Sequence, residues 1–145
     1  MDFNFTEEQT LLENMVTSFV RDNYPWEVRE AIVKTEEGWK PENWSQFAEL
    51  GLLGVPFAEE FGGLGGSVVD TMIVMEQFGK GLVVEPYMPS VVLAGGLISS
   101  LGSKEQVERT NGYSNDYWDW GMEDDDLFWR CVLEGYANYE YMDFD

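Results

Sequence analysis

Apolar side chains recur at helical spacing near the start of the chain. After Thr6, the apolar positions that share one face of a helix are Leu12, Met15, Val16, Phe19 and Val20. Thr6 is a favourable N-cap, and Gln9 three residues later completes a capping-box pattern. The pattern predicts an amphipathic helix over residues 6–23, which ends before Pro25.

Four further helices are predicted along the next part of the chain. They are a short helix over 26–35, a third over 41–50 with Pro41 in its first turn, a fourth over 67–78 and a longer one over 86–100. In the third helix, the side chains predicted to point inward are Trp44, Phe47, Ala48 and Leu50.

Capping residues support these boundaries. Gly51 follows the third helix as a C′ residue, and Ser67 with Asp70 forms a box-like pair at the start of the fourth. Ser103 is expected to cap a last short helix. No stretch of residues 1–110 alternates over the length of a strand, so we predict an all-α bundle of five or six helices.

The composition changes near residue 110. Residues 111–145 contain ten aromatic and ten acidic residues but one basic residue, with no sustained period. We therefore predict a helical domain over 1–106 and an acidic, aromatic-rich tail over 107–145, whose order stays open. The tail is either an out-of-frame sequence that neither folds nor functions, or a segment that binds a basic partner. Its three consecutive aspartates are interpreted as a solvated patch, because the EF-hand ligand pattern does not occur.

Charge and residue usage narrow the classes of function. With 28 acidic against 8 basic residues, we expect neither nucleic acid nor an anionic membrane as a partner. The N-terminus lacks a signal-peptide pattern and no apolar run reaches membrane-spanning length, so we expect a soluble, cytoplasmic protein. Cys131 is the single cysteine and there is no histidine. No metal site is predicted, and catalysis would rest on carboxylates or a cofactor.

The segment 54–67, GVPFAEEFGGLGGS, is the most glycine-rich part of the chain. It lacks the lysine of a phosphate-binding P-loop, and no strand precedes it as a dinucleotide fingerprint requires. Glu59 and Glu60 would repel a phosphate, and adjacent carboxylates rarely form a catalytic pair. We interpret the segment as a tight connection between helices, with both glutamates exposed to solvent.

Two consecutive glycines, Gly95 and Gly96, interrupt the predicted helix over 86–100. Each costs about 1 kcal/mol relative to alanine inside a helix, so close approach of another group is expected there. That group is either another helix or the thin chain of an apolar ligand. The small, apolar face that would meet it consists of Pro89, Val92, Leu93 and Gly96.

Four blocks occur in an order and at a spacing that resemble a known family. They are MDFNFTEEQTLLENMVTSFVRD, WSQFAELGLLGVPFAEEFGGLGG, VVDTMIVMEQFGKGL and LGSKEQ. Together they resemble the N-terminal helical domain of the acyl-CoA dehydrogenase family. The segment GLVVEPYMPSVVLAGGLI is most similar to the small-subunit type associated with pimeloyl-CoA dehydrogenase. The resemblance covers about residues 1–106, and we expect none for 107–145.

The resemblance implies an activity. In the family, a carboxylate removes the α-proton of an acyl-CoA thioester, and FAD accepts the β-hydrogen as hydride. The flavin-binding and catalytic regions of the family have no counterpart here, so no catalytic or cofactor-binding residue is carried over. By position, the pocket-facing helix of the family corresponds to 86–100, which makes Pro89, Val92, Leu93 and Gly96 the expected wall of the acyl pocket.

Two functional hypotheses follow. The first is the N-terminal domain of an FAD-dependent acyl-CoA dehydrogenase on a truncated chain that is inactive alone and does not itself hold FAD. The second is a non-catalytic interaction module that docks on a dehydrogenase subunit. Acyl-CoA and a homo- or hetero-oligomeric dehydrogenase are the expected partners. The detached domain would expose apolar surface, so we expect self-association or marginal stability.

Overall fold

The structure, a computed structural model, describes residues 4–103. All of the regular elements within this range are helical, which confirms the predicted all-α class. In chain order the α-helices are α1 (Glu7–Asn23), α2 (Trp26–Ile32), α3 (Pro41–Glu49), α4 (Val68–Gly81) and α5 (Gly96–Leu101). A π-helix, Met88–Gly95, runs directly into α5, and two short 3₁₀ turns, Leu52–Gly54 and Glu59–Phe61, lie between α3 and α4.

Both predicted capping boxes are present. The Thr6 hydroxyl accepts a hydrogen bond from the Gln9 N–H while the Gln9 side chain accepts one from the Thr6 N–H, both at 3.1 Å. Ser67 and Asp70 make the equivalent reciprocal bonds at the start of α4. Because these bonds satisfy N–H groups that have no partner within the helix, they fix where α1 and α4 begin.

Aromatic side chains form the centre of the core. Phe47 of α3 is fully buried and stacks on Phe78 of α4 with ring centroids 4.7 Å apart. The rings of Phe19 and Tyr87 meet Phe47 edge-on, at 5.1 and 6.3 Å. These contacts bring α1, α3, α4 and the start of the π-helix together. The other buried core residues are Val16, Tyr24, Trp44, Leu52, Leu53, Val55, Val74 and Val91.

Three predicted boundaries are wrong. The second helix ends at Ile32 rather than at 35, because the Thr35 hydroxyl donates to the Ile32 carbonyl and closes a turn. The fourth runs past 78 to Gly81, where a Cβ would collide with Val20, so its last turn packs directly on α1. The helix predicted over 86–100 begins later, as the π-helix.

The predicted burial along α3 and the predicted residue at its end are confirmed. Trp44 and Phe47 are buried, and Ala48 and Leu50 pack against the core, as predicted. Gly51 has the predicted left-handed conformation, with φ of +73°. The short helix predicted after Ser103 lies outside the described residues. Within those residues, every helix falls short of the length and apolarity that a membrane crossing requires.

Candidate functional site

One side of the π-helix and α5 faces away from the core. Pro89 and Leu93 are exposed, and a Cβ on Gly96 would meet no atom within 4 Å. The outward side continues as a line of large apolar side chains that the described residues leave half exposed or more. The exposed large residues of this outer face are Met88, Leu93, Leu97 and Leu101, at 51%, 50%, 61% and 80% exposure.

Val92 does not lie fully on this outer face. It is half-buried and packs against the hydrophobic core, whereas its neighbour Leu93 is exposed. The structure therefore places Pro89, Leu93 and Gly96 on the outer face, with Val92 at its inner edge. A π-helix is rare and is frequently found at functional sites.

The inner side of the same helix is held in the core. Ser90, Val91 and Gly95 are buried, and the Phe57 ring lies so close to Gly95 that a Cβ there would collide with it. Close packing of the Phe57 ring therefore requires a glycine at position 95, whereas Gly96 faces open space. The group that meets Gly95 belongs to the segment between α3 and α4, so the contact found there is not the expected one with another helix.

Two buried side chains anchor the segment before the π-helix. The Tyr87 hydroxyl donates to the Leu52 carbonyl at 2.9 Å, and burial raises the pKa of Tyr87. Two residues earlier, Glu85 is only 5% exposed, although it is a carboxylate. Its Oε1 accepts from the Asn43 Nδ2 at 3.0 Å and from the Lys40 backbone N–H at 3.3 Å.

Sequence reasoning missed the pairing of Glu85 with Asn43. The Asn43 Nδ2 also contacts the Tyr24 hydroxyl at 3.2 Å, so the amide joins the end of α1 to the segment that precedes the π-helix. Burial raises the pKa of Glu85 to about 7. The one available signal was a lone acid between apolar residues in the stretch VVEPY, which does not reveal a partner 42 residues away.

The glycine-rich loop uses its own backbone amides. Four successive N–H groups, from Gly63 to Gly66, donate to carbonyls of Ala58, Gly54, Phe57 and Val55 at 2.7 to 3.1 Å. These bonds leave the four amides with no free donor for a phosphate, and Glu59 and Glu60 are exposed beside them. The interpretation as a tight helix connection is confirmed.

Neither the glycine-rich loop nor the groove between α1 and α3 fits FAD. Its pyrophosphate needs free N–H groups or cationic side chains, and the loop amides are already bonded. A groove of about 670 Å³ between α1 and α3 has Asp22, Glu42 and Glu49 among its lining residues and no basic side chain. Such a groove disfavours an anionic group, so we assign no cofactor-binding residue within 4–103.

Comparison with known proteins identifies the helical region. Residues 6–110 match the family model of the acyl-CoA dehydrogenase N-terminal domain. The short-chain-specific acyl-CoA dehydrogenase of Clostridium acetobutylicum is 32% identical over 114 residues, covering 75% of this chain and 29% of that protein. Acyl-CoA dehydrogenase IpdE2 of Mycolicibacterium smegmatis is 34% identical over 105 residues, covering 72% and 33%. The chain thus spans about a third or less of the length of these relatives.

The C-terminal region is similar to a different class of enzyme. Residues 83–142 match a model described as the N-terminal domain of galactosyltransferase. Human beta-1,4-galactosyltransferase 1 is 44% identical over 63 residues, which cover 43% of this chain and 14% of that protein. The expectation that 107–145 has no family resemblance is therefore wrong for most of that segment. A sequence read in the wrong frame is not expected to match a protein family, so this similarity argues against the out-of-frame hypothesis.

A solved structure agrees with the assignment of the helical region. A chain of the ChsE4–ChsE5 complex of Mycobacterium tuberculosis superimposes with a TM-score of 0.67 and 32% sequence identity. The match covers 72% of the present chain and 29% of the chain from that complex. Fold, sequence and matched range point to the same family, and the match covers well over half of the chain. The chain belongs to the acyl-CoA dehydrogenase family, of which it carries the N-terminal domain.

Proposed function

We propose that the described domain forms one wall of the acyl pocket of an FAD-dependent acyl-CoA dehydrogenase. The wall is the outer face of the π-helix and α5, with Pro89, Val92, Leu93 and Gly96 nearest the acyl chain. One observation carries the proposal: an apolar face is left uncovered on a helix whose opposite side is fixed in the core. Such a face suits a hydrocarbon chain.

The proposed contribution of these residues is to bind and to exclude water. None of the four has a side chain that titrates or accepts a proton, and Gly96 leaves room for close approach by a methylene chain. When bound, FAD supplies the oxidation by accepting the β-hydrogen as hydride. We assign no catalytic residue within 4–103, so flavin contacts and the proton-accepting carboxylate would come from other parts of the assembled enzyme.

Acyl-CoA binding tests the proposed wall. The full chain is titrated with octanoyl-CoA and palmitoyl-CoA, with free CoA as the reference, by isothermal calorimetry. We expect Leu93→Asp to weaken acyl-CoA binding at least tenfold, because it places a charge against the acyl chain. Leu11→Asp is the matched control, since Leu11 is 69% exposed on α1. Equal effects of the two variants, or equal binding of free CoA, would count against the acyl wall.

Catalysis by the chain alone is tested separately. We expect the full chain mixed with FAD to show no acyl-CoA-dependent reduction of a dye, because neither the glycine-rich loop nor the groove between α1 and α3 fits the flavin. Flavin absorbance that stays with the purified protein, together with dye reduction, would contradict this expectation. Binding without turnover is the combined result that fits a pocket wall.

The alternative function is that of an interaction module which docks on a dehydrogenase subunit. It is supported by the match to the ChsE4–ChsE5 complex, a solved assembly of two different proteins. Under this alternative, the outer face is covered by a partner protein and acyl-CoA does not bind. Co-purification with a flavoprotein subunit, lost in Leu93→Asp and kept in Leu11→Asp, would favour docking over acyl-CoA binding.

We also propose that the chain divides near residue 106 into the helical domain, 1–106, and a galactosyltransferase-like segment, 107–145. The division is supported by the change in composition, although the two family matches overlap over residues 83–110. A protein comprising residues 1–106 should keep the helical circular dichroism and the unfolding midpoint of the full chain. A large loss of either would show that the boundary lies elsewhere or that the two parts fold as one unit.

A further inference from the structure

The buried carboxyl group of Glu85 lies between α3 and the segment that leads into the π-helix. Glu85 and Asn43 are 5% and 0% exposed. None of the ion pairs found among the described residues includes Glu85. A buried carboxylate with no cationic partner is costly, and proteins commonly avoid this cost by keeping the group protonated.

The hydrogen bonds around this pair leave two acceptors unused. Asn43 Oδ1 and Glu85 Oε2 are buried and have no hydrogen-bond partner. Both belong to groups that are already joined by the bond from Asn43 Nδ2 to Glu85 Oε1. An ionised carboxylate has no proton to donate, so both oxygens would stay unsatisfied. A proton on Oε2 would supply the donor that this pair lacks, on a carboxyl group already bonded to the Asn43 amide.

We propose that Glu85 is held as a neutral carboxylic acid, which donates from Oε2 to Asn43 Oδ1 while its Oε1 accepts from Asn43 Nδ2. The resulting two-bond acid–amide pair makes Glu85 a positioning residue for the π-helix, which begins three residues later. The proposal concerns the geometry of the outer face and does not depend on what that face binds.

The surroundings of Glu85 support the neutral form. The titratable residues around the pair are Tyr24 at the end of α1, Lys40 before α3 and Tyr87 on the same segment. Tyr87 is committed to the Leu52 carbonyl, and Lys40 contributes its backbone N–H to Glu85. Burial raises the pKa of Glu85 to about 7, and N–H groups of Lys40, Val84 and Glu85 itself oppose the rise without cancelling it.

Loss of the proton would act directly on the π-helix. Glu85 and Tyr87 both have buried, hydrogen-bonded side chains on the short segment between α4 and that helix. An ionised Glu85 would leave the Asn43 carbonyl oxygen unpaired and place a charge in an apolar setting. We therefore expect the segment to loosen as pH rises through 7, while the Tyr87 anchor remains.

The first experiment measures the protonation of Glu85 in the full chain. The side-chain carboxyl carbons are followed by ¹³C NMR from pH 4 to 9, and the Glu85 signal is assigned by its absence in Glu85→Gln. We expect a midpoint near 7 for Glu85, and the signal of the exposed Glu49 of α3, assigned through Glu49→Gln, serves as the reference. A Glu85 midpoint below 5 would overturn the proposal. The same result is expected if a buried water, and not a proton on Oε2, bridges the two oxygens.

The second experiment separates proton donation from simple packing. Hydrogen exchange of the amides in 88–95 is compared at pH 6 and pH 8, with rates corrected for the intrinsic effect of pH. In the wild-type chain we expect protection to fall at least fivefold at pH 8. Glu85→Gln carries a permanent N–H donor for Asn43 Oδ1, so it should keep its protection at both pH values. Wild-type protection that does not change with pH, or a Glu85→Gln variant whose protection falls equally, would refute the proposal.

Discussion

The ring of Phe57 packs directly on the backbone of Gly95. The contact joins the glycine-rich loop to the buried side of the π-helix, and it is so close that a Cβ on Gly95 would overlap the ring edge. The next residue, Gly96, has helical backbone angles close to those of Gly95, yet nothing lies within 4 Å of its Cβ position. Of these two adjacent glycines, Gly95 therefore has no room for a side chain, whereas Gly96 has room for one.

Replacing these glycines one at a time should give effects of opposite sign. Gly95→Ala must displace the Phe57 ring, and overpacking of this kind costs about 1–3 kcal/mol. Gly96→Ala meets open space and gains about 1 kcal/mol of helix propensity. Urea unfolding of both variants measures the difference. If the contact with Phe57 is the cause, then Phe57→Leu combined with Gly95→Ala should recover part of the loss; no recovery would disprove it.

The glycine-rich loop should be still less tolerant, because backbone rather than a side chain fills the space. A Cβ on Gly66 would lie 2.5 Å from the Val55 carbonyl oxygen, and one on Gly63 would collide with the Phe57 carbonyl. We expect about 3 kcal/mol of destabilisation for either alanine variant. Gly79→Ala, on α4 with open space around it, is the control and should be neutral or stabilising. A loop variant as stable as the control would contradict this packing.

Features encoded over a few residues were predicted well from the sequence. The Thr6–Gln9 and Ser67–Asp70 boxes, and the left-handed Gly51 after α3, depend on local chemistry that the sequence displays directly. The start of α4 is therefore predictable to the residue. Its end is not, because Gly81 is retained in the helix by close packing on Val20, 61 residues away in the chain.

The geometry of the candidate site depends on distant contacts. The π-helix is fixed by Phe57 packing on Gly95 and by Tyr87 bonding to Leu52, and neither contact leaves a periodic signal. A run of small and apolar residues over 86–100 therefore predicts a helix but not its type. The Glu85–Asn43 pair was missed for the same reason, since burial arises only when α3 packs beside that segment.

Self-association of the chain is predicted from the outer face. Leu97 and Leu101 are 61% and 80% exposed, and large uncovered apolar patches promote contacts between proteins. Replacing both by lysine should lower the apparent mass in sedimentation velocity without lowering helical content. The matched control is Val28→Lys, since Val28 is 39% exposed on α2. A wild-type chain that stays monomeric at high concentration would show that this face does not drive association.

Stability should fall as pH rises from 5 to 8. The pKa of Glu85 is about 7 when folded and near 4.5 when unfolded, so the folded state binds a proton that the unfolded state releases. The stabilisation that this bound proton provides is complete below pH 4.5 and is lost as pH rises through 7. The total loss in the free energy of unfolding is at most about 3 kcal/mol. Repulsion among the acidic residues, with a formal net charge of −20, also weakens the fold as they ionise. Urea unfolding of Glu85→Gln across the same range separates the two causes, because this variant keeps the repulsion but lacks the buried titration. A wild-type slope between pH 5 and 8 no steeper than that of Glu85→Gln would exclude Glu85 as the source.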